Sequence, residues 1–182
     1  MAQSDAGTVR SEDERSKFLR FPVMAEGAEY LVMGNLMRRN ILTYKAPPLN
    51  EGYDLIGIHP NPRHRPRKGQ RTQVRIQVKS RYQTDAHRGF PLNEKSLDAF
   101  DFLVVVFLNI GRFYGGRDGT EGASDVEYFT LPRSLIKRWH DPRSSWQKVV
   151  LRGRERTLEK YRNESGFEVI ADKLGVPRPS RL

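Results

Sequence analysis

Seven consecutive apolar residues, Phe102–Leu108 (FLVVVFL), constrain this chain more than any other feature. The run is far short of the roughly 18 residues that cross a bilayer. It suits a strand covered on both faces, the usual condition in the middle of a layered α/β protein. Around it the periodicity changes repeatedly. Ala25–Arg39 carries Val32, Met33 and Leu36 on one helical stripe, with Ala25 a turn or more earlier, and Asn40 tolerates the left-handed conformation at a helix end. Ile41–Tyr44, Tyr53–Ile58, Thr72–Lys79, Val126–Leu131 and Trp146–Leu151 read as strands. Leu92–Ala99, with Asn93 as cap, Pro132–His140 and Phe167–Leu174 read as helices, the last closed by Gly175 and Pro177. This order predicts an α/β fold with a central mixed β-sheet flanked by helices. One domain is expected over residues 18–182, behind a mobile polar segment at 1–17.

Thirty-two Lys and Arg oppose 22 Asp and Glu, a formal charge of +10, and such a surface attracts polyanions, nucleic acid foremost. The absence of cysteine excludes disulfides, thiolate zinc sites and cysteine nucleophiles. Met1–Arg20 mixes both charges and lacks an apolar signal segment, so a cytoplasmic protein with no membrane contact is expected.

Four polar side chains interrupt the apolar patterns. Glu29 lies within the helical stripe, with Val32, Met33 and Leu36 at i+3, i+4 and i+7, where a carboxylate is costly unless paired or metal-bound. Asp54 opens a strand whose same-face neighbours are Ile56 and Ile58. Gln77 and Lys79, one residue apart, leave the same face of the next strand, opposite Val74, Ile76 and Val78. Singly, each has an ordinary structural explanation: a rim carboxylate, a turn residue, a solvated sheet face. Together they assemble a chemistry. Magnesium takes hard oxygen ligands and keeps several waters, and Asp54, Glu29, the Gln77 amide oxygen and a backbone carbonyl such as that of Val78 would supply them. An ammonium at Lys79 would orient a water or offset charge on a phosphate.

The order of a helix glutamate, then YDLIGI, then VRIQVKS resembles the PD-(D/E)xK nuclease superfamily over about residues 26–80. It is most similar to the branch with Gln in the acidic slot, as in bacterial intron-encoded endonucleases and related uncharacterised prokaryotic proteins. The resemblance implies a restriction-endonuclease-like core and Mg²⁺- or Mn²⁺-dependent hydrolysis of DNA phosphodiesters. It implies that Asp54 holds metal, that Lys79 assists the water and that Glu29 joins the metal site. Gln77 stands where most members carry Glu or Asp, and Tyr53 replaces the usual proline before the aspartate.

Between the two site strands lies a polar insertion, His59–Arg71, with Arg63, Arg65, Arg67, Lys68 and Arg71 and no acid. It is expected to project near the site and contact DNA phosphates, or read guanine through an arginine. Ser80 is a further candidate phosphate contact, and Arg133, Lys137 and Arg138 form a second basic group. The five glycines of Gly111–Ser124 lack the Gly-Lys-Ser/Thr ending of a phosphate loop, and His59, His64, His87 and His140 lack zinc-ligand spacing. Cutting both strands of a duplex needs two sites, so a homodimer or higher homo-oligomer is expected, with Trp139 and Trp146 near the interface. Two further readings fit the residues: a non-catalytic nucleic-acid-binding module that keeps the nuclease fold, and an interaction component of a defence or toxin system.

Overall fold

The computed structural model describes residues 20–48, 50–82, 89–112, 120–146 and 148–177, with side chains from Val23 onward. The expected mobile segment at 1–17, His87 and residues 113–119 of the glycine-rich loop lie outside the described residues. Five strands form a mixed sheet in the order β1–β2–β3–β5–β6: β1 (Leu42–Lys45), β2 (Leu55–Ile58), β3 (Gln73–Arg81), β5 (Phe102–Phe107) and β6 (Glu127–Pro132). β3 and β5 pair in parallel, and the other three pairings are antiparallel. A smaller sheet joins β4 (Gly89–Pro91), β8 (Lys148–Val150) and β7 (His140–Asp141) in the order β4–β8–β7. The helices are α1 (Arg20–Met37), α2 (Arg133–Trp139), α3 (Glu155–Leu158) and α4 (Asn163–Leu174).

The apolar run behaves as its composition requires. All six residues of β5 are buried, and they divide by the two-residue period of a strand. Phe102, Val104 and Val106 join one core with Ala28, Val32 and Leu36 of α1, Val74, Ile76 and Val78 of β3, and Phe167, Ile170 and Leu174 of α4. Leu103, Val105 and Phe107 join a second core with Phe90 of β4, Leu135 and Ile136 of α2, and Val149 of β8. Helices thus cover both faces of the mixed sheet, as expected of an α/β protein.

Local chemistry sets the boundaries and corrects several of them. α1 starts at Arg20 rather than Ala25, with Pro22 in its first turn, where its missing N–H removes no helical bond. Ala25 is exposed, and the buried stripe is Ala28, Val32 and Leu36. Asn40 has φ +58° and Gly175 has φ +75°, the left-handed helix ends that the sequence suggested. Leu92–Ala99 forms only a single 3-10 turn at Glu94–Ser96: Asn93 accepts a bond from the Lys95 N–H, while Leu92, Leu97 and Phe100 are drawn into the second core. Pro132 ends β6 and caps α2 instead of entering it. Trp146 sits in a turn and is 71% exposed, whereas Trp139 packs against the second core beneath the Arg154 guanidinium, 4.5 Å from its ring centre.

Candidate active site

Asp54 immediately precedes β2, and the pairing of Leu55 with Ile76 brings it beside Gln77 of β3. Its backbone N–H donates to the Ile76 carbonyl (2.9 Å), and its carbonyl accepts from the Ala46 N–H (2.7 Å), so the residue is clamped between β1 and β3. Its carboxylate is equally constrained. Oδ2 accepts from the Val78 N–H and from Gln77 Nε2, both at 2.6 Å. Oδ1 and Gln77 Oε1 carry no hydrogen bond among the described residues. Burial pushes the Asp54 carboxyl above its ordinary value of 3.8, against the opposing pull of the Val78 N–H, the Lys79 charge, the Gln77 amide and the Lys45 charge.

Glu29 reaches this region from α1. Its side chain is 22% exposed, and its Oε2 lies 3.1 Å from Lys45 Nζ. Burial raises the Glu29 carboxyl above its ordinary 4.5; the Lys45 hydrogen bond opposes this, and the negative charge of Asp54 adds to it. Glu29 thus lies near enough to Asp54 to be influenced by its charge. The Lys79 charge acts on Asp54 from the same face of β3 as Gln77.

Lys45 is the residue that pattern reasoning missed. It ends β1, one position beyond the strand read from sequence, and periodicity gives a lysine there no role. Its ammonium lies 2.8 Å from Glu26 Oε1 and 4.8 Å from the Tyr30 ring centre, as well as beside Glu29. The Glu26 hydrogen bond is the main influence holding Lys45 in its charged form.

No family model, curated relative or solved structure matches the chain.

The donor set fits a magnesium ion sparingly ligated by protein. Asp54 Oδ1, Glu29 and Gln77 Oε1 are hard oxygens of the kind such an ion takes beside several waters. Among the described residues no group of three or more His, Asp or Glu side chains is placed to hold a metal, so a denser site is not formed. Val78 meets Asp54 through its N–H, and its carbonyl lies 3.4 Å from Gln77 Nε2. Ser80, on alternate residues with Val78, leaves the face opposite Gln77 and Lys79.

The basic insertion stands apart from this constellation. It leaves the sheet at the Ile58–Gln73 pair, four residues and roughly 13 Å along β2 from Asp54. The expectation that it projects beside the site is therefore corrected: β2 has its first residue opposite Ile76, next to Gln77, and its last opposite Gln73, where the insertion ends. Arg63, Arg65, Arg67 and Lys68 are exposed, and the loop is shaped by stacked His59 and His64 rings 3.7 Å apart. Arg71 is engaged by the buried Asp101 carboxylate at 2.6 Å, which also accepts the Arg75 N–H at 2.9 Å. The Arg71 N–H donates to the Lys173 carbonyl (2.8 Å) and Lys173 Nζ to the Gly69 carbonyl (2.6 Å), which strap the insertion to α4. Beside it opens a cleft of about 560 Å³ lined by Lys68, Arg71, Asp101, Arg133, Asp172 and Lys173. Arg133 and Lys137 are occupied by Asp98.

Proposed function

We propose that this protein is a Mg²⁺-dependent endonuclease hydrolysing DNA phosphodiesters on a restriction-endonuclease-like core. The observation that carries this reading is the Asp54 carboxylate. It is held on one oxygen by the Val78 N–H and the Gln77 amide, its other oxygen is unbonded among the described residues, the Lys79 charge acts on it, and its own charge acts on Glu29. Asp54, Glu29 and the Gln77 amide oxygen would hold the metal, which when bound supplies a Lewis acid and a bound water of lowered pKa. The remaining work belongs to the chain. Val78 and Gln77 fix the orientation of Asp54, so that little reorganisation is needed during reaction. Lys79 orients the attacking water and offsets charge on the phosphate, and no covalent enzyme intermediate is required. The net charge of +10 and the exposed cations of the insertion draw the polyanion to the surface.

A second reading, a nucleic-acid-binding module without catalysis, is favoured by one specific feature. Both carboxylates already have partners without metal: Asp54 the Gln77 amide nitrogen, and Glu29 the Lys45 ammonium. Incubation of plasmid and branched DNA with Mg²⁺, Mn²⁺ or EDTA separates the two. Metal-dependent nicking or linearisation that is lost in Asp54→Asn and in Lys79→Met is the expected result. DNA binding with no cleavage under any metal would establish the binding module, and EDTA-resistant cleavage would overturn the metal mechanism.

A further inference from the structure

We infer that Lys45 is a resident cation of the candidate site, which holds the Glu29 carboxylate in the metal-free protein and yields it when a divalent ion binds. The inference rests on the metallonuclease reading and adds a residue that controls metal occupancy.

Three residues of α1, spaced i, i+3 and i+4, surround the Lys45 ammonium: Glu26 at 2.8 Å, Glu29 at 3.1 Å and the Tyr30 ring at 4.8 Å from its centre. The backbone keeps this lysine beside Asp54. Lys45 pairs with Leu55 across β1 and β2, and the N–H of the next residue, Ala46, donates to the Asp54 carbonyl at 2.7 Å. Lys45 also contributes to the electrostatic surroundings of Asp54.

Glu26, Glu29 and Asp54 carry three negative charges, against two positive charges on Lys45 and Lys79. A divalent ion held by Asp54 and Glu29 would meet an ammonium 3.1 Å from one of its own ligand oxygens, and like charges that close repel. The two glutamates differ in a way that resolves the conflict. The Glu26 side chain is 59% exposed and lies on the solvent side, whereas Glu29 is 22% exposed. The flexible lysine stem can keep Glu26 while releasing Glu29 to the metal. Lys45 thus acts through Glu29 as a positioning residue.

A simple staple between α1 and β1 would behave differently. Its removal would loosen the site and weaken metal binding, whereas removal of a competing cation strengthens it. The test is Mn²⁺ binding to the full chain, followed by the paramagnetic resonance signal of free Mn²⁺, without DNA. Lys45→Met is expected to tighten Mn²⁺ binding by roughly tenfold, the scale of removing one nearby like charge in partly screened surroundings. Lys45→Arg should stay near wild type, and Asp54→Asn should lose binding. Unchanged or weaker Mn²⁺ affinity in Lys45→Met, with Asp54→Asn still losing binding, would overturn the inference and leave the metallonuclease reading standing. Wild-type Mn²⁺ binding in Asp54→Asn would overturn both. Should Lys45→Met fail to fold, Glu26→Gln reads the same exchange with opposite sign. It deprives Lys45 of its outer partner, so Glu29 is held harder and Mn²⁺ binding weakens; unchanged or tighter binding there counts against the inference.

Discussion

Gln77 Nε2 lies 2.6 Å from Asp54 Oδ2, a neutral donor facing a carboxylate across the β2–β3 pairing. A glutamate at 77 would set two carboxylates against each other, and such a pair repels until a proton or a cation joins it. Gln77→Glu is therefore expected to lower the metal-free melting temperature by a few degrees, corresponding to about 1 kcal/mol. The same change should tighten Mn²⁺ binding by about tenfold, or ~1.4 kcal/mol. Calorimetric scans with and without Mn²⁺ check both, and a variant with wild-type melting in both states would place Gln77 outside the site.

Asp54 has a structural duty beside its proposed chemical one. Asp54→Ala removes the acceptor of the Val78 N–H, and a buried unpaired donor costs about 1–3 kcal/mol. Asp54→Asn keeps an acceptor oxygen and removes the charge. Urea melts should find the alanine variant less stable than the asparagine variant, while both lack cleavage; equal stabilities would mean that Val78 finds another acceptor.

The raised Asp54 carboxyl makes metal-free stability depend on pH in a defined direction. Burial disfavours the charged form, so the folded protein holds this proton more tightly than the unfolded chain. Its contribution is most favourable at low pH, declines as pH rises from the ordinary 3.8 through the raised folded value, and is constant above that. Wild type should accordingly lose melting temperature relative to Asp54→Asn across that window and run parallel to it up to neutrality. A difference that grows the other way would contradict the assigned cause.

Recognition and chemistry should separate cleanly, because the insertion leaves the sheet some distance from Asp54. Replacing Arg65, Arg67 and Lys68 with Ala should flatten the slope of log affinity against log salt by about two to three, given roughly 0.9 per phosphate contact on B-form DNA. Cleavage at saturating DNA should stay near wild type. An unchanged affinity and slope would move the DNA surface elsewhere, to the exposed Arg138 of α2 first.

Gly166 tests the packing of α4. A Cβ there would lie 2.1 Å from the Tyr161 carbonyl oxygen and 3.1 Å from Thr130 Oγ1. Gly166→Ala is expected to destabilise by about 3 kcal/mol through overpacking despite alanine's better helix propensity. A urea midpoint at or above wild type would show that the Tyr161 turn gives way freely.

The strongly periodic parts of the chain were legible. Phe102–Leu108 needed cover on both faces and has it, and the alternation of Val74, Ile76 and Val78 against Gln77 and Lys79 placed those two side chains on one face. The meeting of Asp54 with Gln77 was also readable, since neighbouring antiparallel strands bring the start of one to the later part of the next. Lys45 was not, because its significance comes from α1 residues fifteen and more positions away, a relation with no local period. Asp101 escaped notice for the same reason, as its partners Arg71 and Arg75 lie just before and within β3. The insertion was misplaced although the same antiparallel logic locates its ends: it joins the end of β2 to the start of β3, whereas Asp54 precedes β2 and Gln77 and Lys79 lie late in β3.

The length of β3 sets a footprint. Gln73, where the insertion rejoins the sheet, and Lys79 are six residues apart, about 20 Å in an extended strand. At 3.4 Å of rise per base pair, a duplex touched at both ends of that strand spans roughly six base pairs between the two contacts. Oligonucleotides shorter than this reach the Asp54 end without the insertion, so affinity should step upward with substrate length instead of rising smoothly.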